Sequence, residues 1–366
     1  MIKKTLSFFC FCFLACKAFA VEPSVLFVLY DAGETNALLP VIQKCENDKI
    51  SYQVLAFGTA CKLVPTFYDA GIELDSNWDR AAPLGQEEIE KIHSMFHPQI
   101  VISGVASRIQ GQLLEAFRKS AKTYAFWDNF SASGANPYFD VAKEVQKEAE
   151  YVLFPSAVVA GAPEFENRPS NEKFIVGHPL FDEWREKIVS IDKEALLNKL
   201  HCNPDRILVS YIGSYGPEYE KAYPLFLDYV ETLEKAYDFL FRSDHEKANI
   251  FVQAHPKTDG SFEKEHSPAH FLINQLSTLE AIAVADMVVC YNSTAGFQAL
   301  LLGKDLFYFI PTGDPLTNSA IEMGLAKRIS STDDFDQTVN KSRIDAAELL
   351  GIPENSVEKI FELIKQ

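Results

Sequence analysis

From residue 25 onward, short runs of β-branched, aliphatic and aromatic residues alternate with longer stretches whose apolar positions recur every three or four residues. The short runs lie at 25–30, 52–57, 100–103, 123–126, 151–154 and 174–176, and each is mostly continuous apolar rather than alternating. Continuous apolar strands are those that helices cover on both faces, so these runs predict a parallel sheet. Stretches with one apolar helix face fall between them at 36–44, 86–96, 110–121 and 141–149. After the segment 177–182 and a polar helical stretch at 192–200, the pattern starts again. It predicts strands at 207–212, 250–253, 270–273, 287–291 and 306–309, and helices at 218–241, 278–285 and 295–302. A last helix is predicted at 356–365, placed to cross back onto the first half. The expectation is an α/β chain of two Rossmann-like, doubly wound domains, 21–180 and 181–355, facing each other across a cleft.

Residues 1–20 break the pattern. Lys3 and Lys4 precede an apolar run at 6–16 that ends in Ala18-Phe19-Ala20, the build of a secretory signal peptide. The run is shorter than the ~20 residues that span a bilayer. Export to the periplasm or the medium is therefore expected, without stable membrane insertion once the signal is removed. An uncleaved membrane anchor and a lipid-modified Cys16 are the lesser alternatives. Removing 20 of the 366 residues leaves 346, enough for two cores of ordinary size.

Charge then narrows the partners. The whole chain carries 34 basic and 51 acidic side chains, a formal charge of −17. Without the three lysines of the signal segment the charge is −20. Such a surface repels nucleic-acid phosphates and anionic lipid, and no basic cluster opposes it, so no nucleic-acid partner is expected. Three of the seven cysteines fall in the signal segment. Cys45, Cys61, Cys202 and Cys290 are too few for a disulfide framework; a Cys45–Cys61 bridge is one option in an oxidising compartment, and Cys290 reads as a buried strand residue. No CxxC or HExxH is present and there is no Cys/His cluster, so no metal is expected, and neither a Walker loop nor a GxSxG elbow occurs.

Ligands of open parallel sheets sit beyond the carboxyl ends of the strands, where helix N-termini and free N–H groups converge. In the second half, Asn292-Ser293-Thr294 ends a strand and starts a helix with Gly296 and Gln298 in its first turns, a place suited to a phosphate. Plain helix capping by Ser293 or Thr294 is the alternative. Gly213-Ser214 ends the first strand of that half, and His255-Pro256-Lys257 ends its second, adding an imidazole and a cation. In the first half, Asp31, Glu34 and Asp128 follow strands and are the candidate catalytic carboxylates, one of which would act as general base on an acceptor hydroxyl. Taken singly, each reads first as a helix cap or turn former. His178, after the strand at 174–176, lies at the crossing between the halves.

These segments resemble the glycosyltransferases of the GT-B architecture and their relatives, the UDP-N-acetylglucosamine 2-epimerases and lipid A disaccharide synthase. The resemblance is carried by Asp31-Ala32-Gly33-Glu34 with Asn36, by Val176-Gly177-His178-Pro179-Leu180, and by Asn292-Ser293-Thr294 with Gly296, Gln298-Ala299 and Gly303-Lys304. His255-Pro256 resembles the His-Pro motif of bacterial sialyltransferases and CDP-glycerol transferases. Gln298 stands where many members carry a ribose-binding Glu. The resemblance implies an acceptor-side first domain and a nucleotide-donor second domain. Gly213, Ser214, His255, Lys257, Asn292, Ser293, Thr294, Gly296 and Gln298 would lie about the nucleotide, and Glu280 about its ribose. The implied function is metal-independent transfer of a sugar, of hexosyl or sialyl type, from a nucleotide-activated donor to a glycan, lipid or protein acceptor, with the donor as substrate and no cofactor. An exported solute- or sugar-nucleotide-binding protein without catalysis, and a sugar-nucleotide epimerase or hydrolase, are the alternatives.

Overall fold

The computed structural model describes residues 25–64, 79–134, 137–241, 248–339 and 346–366; the signal-like segment lies outside them. Strands β1 (Val25–Leu29), β2 (Tyr52–Ala56), β3 (Ile100–Ser103), β4 (Lys122–Phe126), β5 (Tyr151–Phe154) and β6 (Lys173–Ile175) form one parallel sheet in the order β2-β1-β3-β4-β5-β6. Strands β7 (Leu208–Ile212), β8 (Asn249–Gln253), β9 (Leu272–Ile273), β10 (Met287–Cys290), β11 (Asp305–Phe309) and β12 (Lys327–Ile329) form a second, in the order β12-β11-β10-β7-β8-β9. Helices α1 (Ala32–Asn47), α2 (Gln86–Met95), α3 (Arg108–Phe117), α4 (Pro137–Val145), α5 (Ala157–Ala160) and α6 (Pro179–Ile188) belong to the first half. The remainder are α7 (Lys193–Lys199), α8 (Pro217–Phe241), α9 (Ser261–His266), α10 (Thr278–Val284), α11 (Thr294–Leu301), α12 (Ser319–Glu322), α13 (Ala346–Leu350) and α14 (Ser356–Ile364).

The central strand β1 shows why its sequence is apolar throughout. Leu26 and Val28 enter one buried cluster, Val25, Phe27 and Leu29 the cluster on the opposite face, and all five are fully buried. Helices on both faces leave no solvent side on which polar residues could alternate. In each sheet the chain reverses direction beside its first strand, between β1 and β3 and between β7 and β10. Those two switch points face each other, and they bring the β1, β7 and β10 ends to one cleft.

Most predicted elements appear within a few residues of their expected bounds. α1 begins at Ala32 rather than 36 because Asp31 accepts from Ala32 N at 2.7 Å and, with Glu34, forms a capping box. The helix expected at 141–149 becomes α4 followed by a 3-10 turn, Gln146–Glu148. The strand expected at 270–273 shrinks to β9, since His270 turns away to Glu234 at 2.9 Å. The short helices α5, α9, α12 and α13 are additions, and so are α6, opened by Pro179 at its first position, and the short polar edge strand β12. Cys45 and Cys61 are both free thiols, so the bridge considered from sequence is not formed; Cys45 is fully buried and Cys61 Sγ donates to Ala56 O.

The C-terminal helix α14 buries Ile360 and Phe361 in the cluster that holds Val25 and Phe27, and it packs on α1. Its seat is made by Gly177, whose φ of +87° suits only glycine and whose missing Cβ is replaced by Ser356 Oγ and Pro353 O. Asp182 accepts from Ser356 N beside it. Gly177→Ala is expected to lower stability by about 1–3 kcal/mol or more, from left-handed strain and the displaced helix. Urea unfolding checks this, and a loss under about 0.5 kcal/mol would contradict it.

Candidate functional site

The two halves meet at two levels. Behind the cleft, the Phe130 and Phe297 rings stack with centroids 4.6 Å apart, and Ser319 bonds to Phe130 O and Ser131 Oγ. In front of them lies a cavity of about 240 Å³. A second cavity of about 890 Å³ adjoins it through Arg80, Ser214, Tyr215 and Asn292.

The residues expected about a nucleotide divide clearly. Gly213, Ser214, His255 and Lys257 line the cleft, and so do Asn292, Ser293, Thr294 and Gln298. Gly213 is required where β7 passes the end of β8, because a Cβ there would stand 2.7 Å from Gln253 O. Ser293 caps α11 by accepting from Gly296 N at 3.4 Å. Two expectations need correction. Gly296 does not approach the cleft; it is buried, and its bare Cα makes room for Cys290 Sγ, which would lie 2.6 Å from a Cβ. Glu280 uses its carboxylate in a capping box, accepting from Ser277 N at 2.8 Å, and does not line the cleft.

Of the three candidate carboxylates, Glu34 is turned away from the cleft and fully buried. Its Oε1 accepts from Tyr30 N, Asp31 N and Gln110 Nε2 at 2.6, 3.1 and 2.6 Å, and its Oε2 from Val105 N and Ala106 N at 3.0 and 3.3 Å. The missing Cβ of Gly104 leaves space for the carboxylate. Glu34 thus clasps the ends of β1 and β3 at the first switch point. Burial, then the neighbouring Asp128, pushes its carboxyl up to about 8 against the pull of those donors.

Asp31 does face the cleft. Burial acts to raise its carboxyl, but Lys257 at 2.9 Å, Arg80 at 3.4 Å and the Ala32 N–H outweigh it and hold the group below the ordinary range. Asp128, after β4, lines the cleft while only 7 % exposed. Burial pushes its carboxyl up to about 6; the Tyr138 hydroxyl, donating at 2.6 Å, pulls the other way, and the Asp31 charge adds to the rise. Gly33 permits this position, since a Cβ there would meet Asp128 Oδ2 at 2.5 Å. Asp128 is therefore the one of the three able to exchange a proton near neutrality while open to a ligand.

Two histidines complete the lining. Burial, then the Lys257 charge, lowers His255 to about 4, so its ring is neutral; Nδ1 accepts from Lys257 N at 3.1 Å, which leaves the proton on Nε2. His178 is also lowered to about 4, by burial, and stacks on Phe130. His178 Nε2, Gln298 Oε1 and Gln253 Nε2 are buried with no hydrogen-bond partner, and all three residues line the cleft. Arg80, Tyr138, Phe139, Trp184, Tyr215 and Gln253 are among the lining residues to which sequence reasoning assigned no role. Among the described residues no group of three or more His, Cys, Asp or Glu is placed to hold a metal ion.

No family model matches the chain, and no curated protein matches it in sequence. Solved structures do match in fold. The UDP-GlcNAc 2-epimerase of Methanocaldococcus jannaschii, in complex with UDP-GlcNAc and UDP, has a TM-score of 0.63 at 13% identity, covering 93% of this chain and 99% of that one. The UDP-GlcNAc 2-epimerase of Neisseria meningitidis, bound to UDP-GlcNAc, has a TM-score of 0.66 at 14% identity, covering 93% and 100%. The wall teichoic acid polymerase TagF has a TM-score of 0.59 at 12% identity, covering 96% and 90%. The chain therefore has the GT-B fold of two Rossmann-like domains that these proteins share.

Removing the Glu34 clasp should leave several buried N–H groups unpaired. Glu34→Ala is expected to cost about 4 kcal/mol or more. Calorimetric or urea unfolding measures it, and a cost under about 1 kcal/mol would return Glu34 to the list of free carboxylates.

Proposed function

We propose that the chain is an enzyme acting on a nucleotide-activated sugar, transferring the sugar to an acceptor hydroxyl with Asp128 as general base. The single observation that carries this reading is Asp128 itself: a carboxylate with its pKa raised to about 6, oriented by Tyr138 and open to the same cavity as Lys257 and the start of α11. In the reaction, the acceptor O–H proton passes to Asp128 as its oxygen bonds to the anomeric carbon. The bond from that carbon to the phosphate oxygen breaks, and the nucleotide leaves carrying the electron pair. Lys257, the neutral His255 N–H and the α11 N-terminus supply donors and positive field for the charge that develops. The unpartnered His178, Gln298 and Gln253 atoms suit the uncharged hydroxyls of a sugar or a ribose. The fold supports the same reading, since neighbours that share it hold UDP-GlcNAc or UDP.

Epimerisation of the same kind of donor is the second reading, favoured because the neighbours in complex with UDP-GlcNAc are 2-epimerases. The signal-like residues 1–20 support a site of action outside the cytoplasm, where a donor would have to be delivered. Incubation with UDP-, GDP- and CMP-sugars followed by product analysis separates the cases. Transfer gives a new glycoside, epimerisation an isomeric donor, hydrolysis free sugar, and a solute receptor binds without product.

Asp128→Asn should lower kcat by about 10²–10⁴ while leaving nucleotide affinity within about twofold. As a base, Asp128 must be ionised, so the rate should fall as pH drops through about 6. Steady-state kinetics from pH 4.5 to 8.5 check both. An unchanged kcat in the variant, or no melting shift of the wild type with any nucleotide at millimolar concentration, would overturn the reading.

A further inference from the structure

Two cations converge on Asp31 from opposite sides of the cleft. Lys257 Nζ, from the loop after β8, lies 2.9 Å from Oδ1 and 3.1 Å from Oδ2, and Arg80 Nη2, from the loop before α2, lies 3.4 Å from Oδ2. Both cations also donate to the Tyr215 hydroxyl oxygen, at 3.2 and 3.4 Å, which leaves the tyrosine's own proton free for another acceptor. The Lys257 ammonium lies 4.6 Å from the centre of that ring. The three charged side chains are only 17–20% exposed, so their charges are weakly screened and their formal sum is +1. Two cations held this close need an anion between them.

Asp31 meets that need with two oxygens and one negative charge, which is also what a phosphate offers. The ammonium and guanidinium it holds line the cavity beside Ser214 and Ser293. We propose that Asp31 is a stand-in for a ligand's phosphate: its carboxylate occupies the anion position between Arg80 and Lys257, and a phosphoryl group takes that position when a ligand binds. Asp31 is then an internal competitor for the anion site, not a base, and Arg80 is a phosphate-binding residue. The identity of the ligand rests on the nucleotide-sugar reading; the anion site does not.

Asn caps a helix as well as Asp does, so Asp31→Asn removes the charge and keeps the start of α1. Calorimetric titration of the full chain with inorganic pyrophosphate is the test. Asp31→Asn should bind at least about fivefold tighter than wild type, because the competing anion is gone, and Arg80→Met at least about fivefold more weakly. Should Asp31→Asn not fold, Asp31→Ser, another capping residue, replaces it with the same expected direction. Equal or weaker binding in the Asp31 variants, or no pyrophosphate binding by wild type and variants alike, overturns the proposal. Parallel titrations with UDP, GDP and CMP keep the two claims apart. Pyrophosphate tightened by Asp31→Asn with no nucleotide bound would uphold the anion site and remove the nucleotide-sugar reading. Nucleotide bound equally by wild type and variant would do the reverse.

Discussion

At the mouth of the cleft, the two halves of the chain are joined by charge: the Asp31 carboxylate stands between Lys257 of one and Arg80 of the other. Deeper in, the joint is apolar, with Phe130 stacked on Phe297 and His178 stacked on Phe130. An ion cluster with residual positive charge gives way when an anion enters, whereas a stacked aromatic joint depends on nothing in the solvent. The same cleft therefore has a fixed floor and an exchangeable front. The spacing of Asp128 from Lys257 of the second half depends on both.

Glu34 and Asp128 show how one environment, burial, gives two carboxylates different uses. Both are pushed up by loss of water. Glu34 gathers donors from the turn after β1, from α3 and from the loop after β3, and its work is to hold the switch point closed. Asp128 has one strong donor, Tyr138, and keeps its remaining acceptor capacity towards the cavity. Only the second arrangement leaves a carboxylate free to take a proton from a ligand. Asp31 is a third case, with its charge fixed by cations and so a poor base.

The double series of parallel strands was legible because burial on both faces removes polar residues from each strand, as β1 shows. The cleft was legible as strand ends, since the turns after β1, β4, β7, β8 and β10 carry Asp31, Asp128, Ser214, His255 and Ser293. Direction within those turns was not. Glu34 and Glu280 each stand three residues after a capping residue, Asp31 and Ser277, and that spacing is the sign of a capping box rather than a free carboxylate. Gly296 likewise serves helix packing against Cys290. Arg80 had no local signal, because an isolated arginine in a loop acquires its role only when β1 and β8 bring Asp31 and Lys257 to it. β12 was hidden by its short length and by Arg328, whose guanidinium donates to Leu316 O, Pro311 O and Asp314 O.

On the reading proposed above, the cleft between the two sheets is a phosphate site held by the second half of the chain. A crystal structure of the protein soaked with a nucleoside diphosphate panel tests it most directly. Phosphate oxygens are expected within hydrogen-bond distance of Lys257, His255 Nε2 and the N–H groups at the start of α11. A nucleotide bound at another surface, with the cleft unchanged, would contradict it.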